Sequence, residues 1–62
     1  MSEVEYQKIA KNLNNTLINI QKNSIQISCK LNQYSTDFKD DLDEFEEHLS
    51  DLNTIIQEIK DL

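Results

Sequence analysis

The chain contains no glycine and no proline, and only one cysteine, in 62 residues. Glycine supplies positive φ angles at tight turns and proline fixes φ and ends helices, so their joint absence removes the usual turn chemistry. A β-sandwich or an α/β fold needs several such turns. The sequence therefore reads as one or two long helices. The lone cysteine, Cys29, excludes a disulfide within the chain and fits a reducing compartment better than a secreted one. No Cys/His cluster offers a structural metal site. No apolar run approaches the roughly 20 residues that cross a bilayer, and the first residues lack the basic-then-apolar pattern of a signal peptide. The expectation is a cytoplasmic protein with no membrane span and no cofactor.

A chain of this length is one domain at most. It buries little surface on its own, and domains this small rely on disulfides, metals, oligomerisation or very regular helix packing. With the first two set aside, packing of helices remains, within the chain or with partners.

Charge is divided unevenly. The chain carries −6 overall, with a pI near 4.4. Residues 1–36 hold Glu3 and Glu5 against Lys8, Lys11, Lys22 and Lys30, a sum of +2. Residues 37–62 hold ten carboxylates against Lys39 and Lys60, a sum of −8. An acidic half repels nucleic acid and anionic membrane, so direct nucleic-acid binding is not expected; it attracts basic partners, the first half of the chain included.

Helix begins early. Ser2-Glu3-Val4-Glu5 matches the S-x-x-E capping box, and its acids suit the positive end of a helix dipole. The apolar residues then keep a seven-residue repeat. Column a holds Ala10, Leu17, Ser24, Leu31, Phe38, Phe45, Leu52 and Ile59; column d holds Tyr6, Leu13, Ile20, Ile27, Tyr34, Asp41, His48, Ile55 and Leu62. Only Ser24, Asp41 and His48 break the pattern, and a repeat sustained over this many heptads predicts coiled-coil or bundle packing. Around Asp41 and His48 the stripe leans to column e, at Leu42, Leu49 and Ile56; in the first half it widens to Val4, Ile18 and Ile25. A stripe this wide fits a bundle with more than one neighbour.

A break is expected near Ser35-Thr36-Asp37, a cluster of N-cap residues followed by Asp40 and Asp41, where the charge also changes sign. Helices over about 3–34 and 37–61 then form an antiparallel hairpin. The rival is a single rod on the order of 90 Å long, favoured by a heptad phase that crosses the break without a slip. The alternation Ser24-Ile25-Gln26-Ile27-Ser28 resembles a strand, but it is short and has no second strand to pair with.

Chemistry-bearing groups are few. Cys29 and His48 are the sole thiol–imidazole candidates, and the repeat places them in different columns, outward f and inward d. Asp41, Glu44, His48 and Asp51 share helical spacing, yet residue 45, three before His48, is Phe rather than the Glu of a Glu-x-x-His metal pair. His48, with Glu44 and Asp51 a turn either side, reads as a pH-sensitive or register-setting polar position, as Asp41 and Ser24 also do. The acidic block 37–51 has two readings: a solvated face on a packing helix, or a mimic of nucleic acid occupying a basic groove. Phe38, Leu42, Phe45, Leu49 and Leu52, interleaved through it, favour the first.

Ser24-Ile25-Gln26-Ile27-Ser28-Cys29-Lys30-Leu31-Asn32-Gln33-Tyr34-Ser35-Thr36 resembles the end of the first helix and the start of the first loop in the N-terminal helical region of endosomal syntaxin-type SNAREs. Leu13, Leu17, Ile20, Ile25, Ile27 and Leu31 are spaced as that helix spaces its apolar residues. The 62 residues hold no third helix, SNARE motif or membrane anchor, so the resemblance implies a fragment or a regulator. More loosely, the pattern is similar to small coiled-coil subunits of tethering, kinetochore and lysosome-positioning assemblies. Each implies a helical interaction module.

The sequence thus predicts an all-α, non-enzymatic module that assembles with other helical chains, as a homo- or hetero-oligomer. Its expected interface is Leu13, Leu17, Ile20, Ile27, Leu31 and Tyr34 in the first half, and Phe38, Leu42, Phe45, Leu49, Leu52, Ile56 and Ile59 in the second. The alternative is a small acidic inhibitor of a basic target.

Overall fold

The computed structural model describes residues 2–62, and they form two helices packed antiparallel as a hairpin. Helix α1 spans Glu3–Asn32 and helix α2 spans Lys39–Lys60. There is no strand among the described residues, so Ser24–Ser28 is helical. The principal dimensions, 48 × 14 × 13 Å, are those of a rod folded in two.

Ser2 caps α1: its Oγ accepts a hydrogen bond from the Glu5 N–H at 3.3 Å, the first half of the capping box. The other end closes without glycine. Tyr34 N–H donates to the Leu31 carbonyl at 3.1 Å and Ser35 N–H to the Lys30 carbonyl at 2.9 Å. This is a Schellman closure, and it requires the residue after the cap to adopt a left-handed conformation. Tyr34 does so, with φ of +57°.

Residues 33–38 make the connection. Within it, Ser35 Oγ accepts from the Asp37 N–H at 3.3 Å, so this serine organises the turn rather than capping α2. The residue at the N-cap of α2 is Phe38, which makes no side-chain capping bond and is half-buried against α1. Asp40 and Asp41 stand in the first turn of α2, where the helix dipole favours negative charge.

The seam between the helices follows a strict alternation of three and four residues. From α1 it takes Ile9, Leu13, Thr16, Ile20, Asn23, Ile27 and Lys30; from α2 and its N-cap it takes Phe38, Asp41, Phe45, His48, Leu52 and Ile55, all at least half-buried. On α2 these are columns a and d. On α1 they are column d together with its neighbour Ile9, Thr16, Asn23 and Lys30. Column a of α1 (Ala10, Leu17, Ser24 and Leu31) is turned outward and exposed. The polar pairs across the seam account for the choice: Lys30 meets Asp41 and Asn23 meets Glu44, which holds those α1 positions against α2. The unbroken heptad phase, which favoured a rod, is therefore compatible with a hairpin, because each helix uses a different pair of columns.

The seam is thin. Among the described residues Ile55, 5% exposed, is the only buried apolar one, beside buried Thr16 and Asn23.

Candidate interaction face

The apolar side chains that the seam leaves out are gathered by the helix geometry. Column a of α1 lies about 50° around the helix from the column of Leu13, Ile20 and Ile27. Leu42, Leu49 and Ile56 are displaced from Phe38, Phe45 and Leu52 by the same four-residue step, in the same rotational sense. Two helices that run in opposite directions and rotate in the same sense expose these columns on one side of the hairpin. With Lys30 level with Asp41, the outward columns form three levels, from the loop downward: Leu31 with Leu42, Ser24 with Leu49, and Leu17 with Ile56.

All five apolar members of these levels are exposed, from Ile56 at 37% to Leu31 at 56%. Ile18 and Ile25 stand on the outer flank of α1, about 100° around the helix from column a, and Ile59 continues column a of α2 near its end; all three are exposed. An apolar surface of this continuity on a small chain marks a site of association.

The opposite side is polar. Asn12 and Thr16 of α1 line a shallow concavity with Asp51, Thr54 and Ile55 of α2. On this side Asn23 Nδ2 donates to Glu44 Oε2 at 3.2 Å, while its buried Oδ1 has no partner among the described residues. The contrast between the two sides gives the hairpin one candidate interface rather than a uniformly mixed surface.

The thirteen residues expected at the interface divide into three groups. Leu13, Ile20, Ile27, Phe38, Phe45 and Leu52 are half-buried in the seam. Leu17, Leu31, Leu42, Leu49, Ile56 and Ile59 are exposed. Tyr34 stands in the connection, 95% exposed. Sequence reasoning missed the seam column Ile9, Thr16, Asn23 and Lys30. Its only apolar member is Ile9, and the signal that marks it is the opposite charge of Lys30 and Asp41 on either side of the break.

Electrostatics concentrate at the loop end. Lys30 Nζ contacts Asp41 Oδ2 at 2.5 Å and donates to the Asp37 carbonyl at 2.7 Å, tying the end of α1 to the start of α2. The hydrogen bond to Asp41 raises the Lys30 pKa above its ordinary value; desolvation opposes this, and the charges of Asp41, Asp37 and Asp40 add to it. His48 Nδ1 lies 3.7 Å from Asp51 Oδ2, one turn along the same helix, with the imidazole partly exposed. Cys29 is free and exposed on the outer surface of α1. Among the described residues no three His, Cys, Asp or Glu side chains gather as a metal-holding group, and no helix is long and apolar enough to cross a membrane. Compared with protein-family models, curated proteins and solved structures, the chain matches none of them.

Proposed function

We propose that this chain is a non-enzymatic protein–protein interaction module, a subunit that completes a helical assembly in the cytoplasm through the face of Leu17, Leu31, Leu42, Leu49 and Ile56. One observation carries the reading: among the described residues a single apolar side chain, Ile55, is buried, while five large ones stand exposed along one side. Burying such a side chain completely from water is worth roughly 1.5–3 kcal/mol; these five are 37–56% exposed, so about half of that remains to be gained at each. The N-terminal region of the syntaxin-type SNAREs, which the sequence resembles, is one form that such a module takes.

The acidic-inhibitor reading assigns the binding energy to the other surface of α2. Asp40, Asp43, Glu46 and Glu47 are all exposed there. The two readings are separated by two variants, a Leu42→Asp/Leu49→Asp chain and a chain with those four acids changed to Asn and Gln, each compared with the unaltered protein by quantitative co-purification from its own cells at low and high salt. The module reading expects the partner set to be lost with the leucine variant and retained with the neutralised one, with little effect of salt. The reverse pattern, with binding that fades as salt shortens the Debye length from about 10 Å at 0.1 M to about 3 Å at 1 M, overturns it.

A further inference from the structure

The exposed face has a size and a charge pattern that select its occupant. A monomer of 7.3 kDa is expected to expose about 4,200 Å². The hairpin exposes 4968 Å², an excess of about 800 Å² over that expectation. A standard interface removes about 800 Å² from each partner. An interface of standard size on one face therefore matches the excess in area.

Resting on the interaction-module reading, we propose that this partner is a second copy of the chain, packed face to face as a four-helix bundle with both connections at the same end. Two-fold symmetry allows two ways of stacking the faces. If the axis runs along the bundle, α1 of each copy lies over α2 of the other. If the axis crosses the bundle, α1 lies over α1 and α2 over α2, with the connections at opposite ends.

Charge separates the two. Helix α1 carries Glu3 and Glu5 against four lysines, a net +2; α2 carries eight carboxylates against Lys39 and Lys60, a net −6. Crossing α2 over α2 brings two strongly acidic helices together, whereas α1 over α2 sets a helix of net +2 against one of net −6. Side-chain size points the same way. In the same-end arrangement every level meets its own copy, so small Ser24 lies against Leu49 of the other copy, and Leu49 against the other Ser24. The opposite-end arrangement, in full overlap, sets Ser24 on Ser24 and Leu49 on Leu49, a void beside a clash. Large against small is the pairing that fills a bundle layer.

The test uses the full chain. Sedimentation equilibrium across the micromolar range is expected to give twice the 7.3 kDa monomer mass. Leu49→Asp is expected to weaken association by about a hundredfold, since two Leu49 side chains leave the interface per dimer. Gln26→Asp, the same kind of charge change on the polar side, is expected to leave the mass unchanged. Lys8→Cys in a Cys29→Ser background, at an exposed position near the open end of α1, then takes a nitroxide label for pulsed dipolar spectroscopy. Same-end packing predicts an inter-label distance within about 30 Å, set by helix spacings of 8–10 Å and the label arms. Opposite-end packing, with Ser24 on Ser24, sets the two labels sixteen residues either side of the crossing point, about 48 Å apart along the bundle at roughly 1.5 Å per residue. A helical monomer throughout the range, a larger oligomer, or a dimer indifferent to Leu49→Asp overturns the second copy as occupant. The long label distance overturns the same-end arrangement. A helical monomer that still binds other proteins through Leu42 and Leu49 leaves the module reading standing, so the two failures are distinguishable.

Discussion

Tyr34 holds a left-handed φ of +57°, a conformation that costs an L-residue with a Cβ roughly 1–2 kcal/mol and costs glycine almost nothing. Its side chain is 95% exposed and so gains little from packing within the hairpin. Tyr34→Gly should therefore stabilise the hairpin by about 1 kcal/mol, a rise of roughly 4–8 °C in the unfolding midpoint for a domain near this size. A lower midpoint measured by circular dichroism would show that the tyrosine ring is covered. Lys30 behaves differently. Because its pKa is raised in the fold, its contribution is fully present below the ordinary lysine value of about 10.4 and is lost as pH rises through the folded value. The difference in midpoint between the unaltered chain and Lys30→Gln is expected to stay constant from neutral pH to about pH 10 and to shrink above it. A difference that vanishes between pH 7 and 9 would remove the Lys30–Asp41 contact from the account.

At the scale of the helices, the sequence carries the all-α class plainly, because no glycine or proline interrupts a heptad pattern that persists from Tyr6 to Leu62. On α2 it also carries the seam, since Phe38, Phe45, Leu52 and Ile55 stand in the columns the repeat assigns. On α1 it carries only half. Leu13, Ile20 and Ile27 face α2, while Leu17 and Leu31 face away, because Asn23 and Lys30 find partners in Glu44 and Asp41. Periodicity ranks columns by apolarity and is blind to a polar pairing between residues 11 and 21 positions apart. The choice between rod and hairpin was hidden for a similar reason: the turn is closed by a tyrosine in a glycine's conformation, which leaves no composition signal. The division of α1 has a measurable consequence. Phe45→Ala, in the seam, is expected to lower the unfolding midpoint at every protein concentration, by the equivalent of about 2–3 kcal/mol for a half-buried ring. Leu31→Ala, on the outer face, is expected to leave dilute hairpin stability within about 0.5 kcal/mol and to act on association. Equal effects of the two at high dilution would place Leu31 in the seam after all.

The whole molecule is a hairpin with too thin a seam for a stable unit of its size. Helices in water draw most of their stability from packing of an apolar face, and here much of that face is exposed. Its folding is then linked to whatever covers Leu17, Leu31, Leu42, Leu49 and Ile56, and anything that binds only the folded state raises stability by mass action. Concentration is the direct probe of that linkage. Thermal unfolding of the purified chain, followed by circular dichroism from the lowest detectable to high micromolar concentration, is the most direct test. The account predicts a midpoint that climbs with concentration, with helicity climbing alongside it. A sharp transition of a monomer at the same temperature throughout would contradict it.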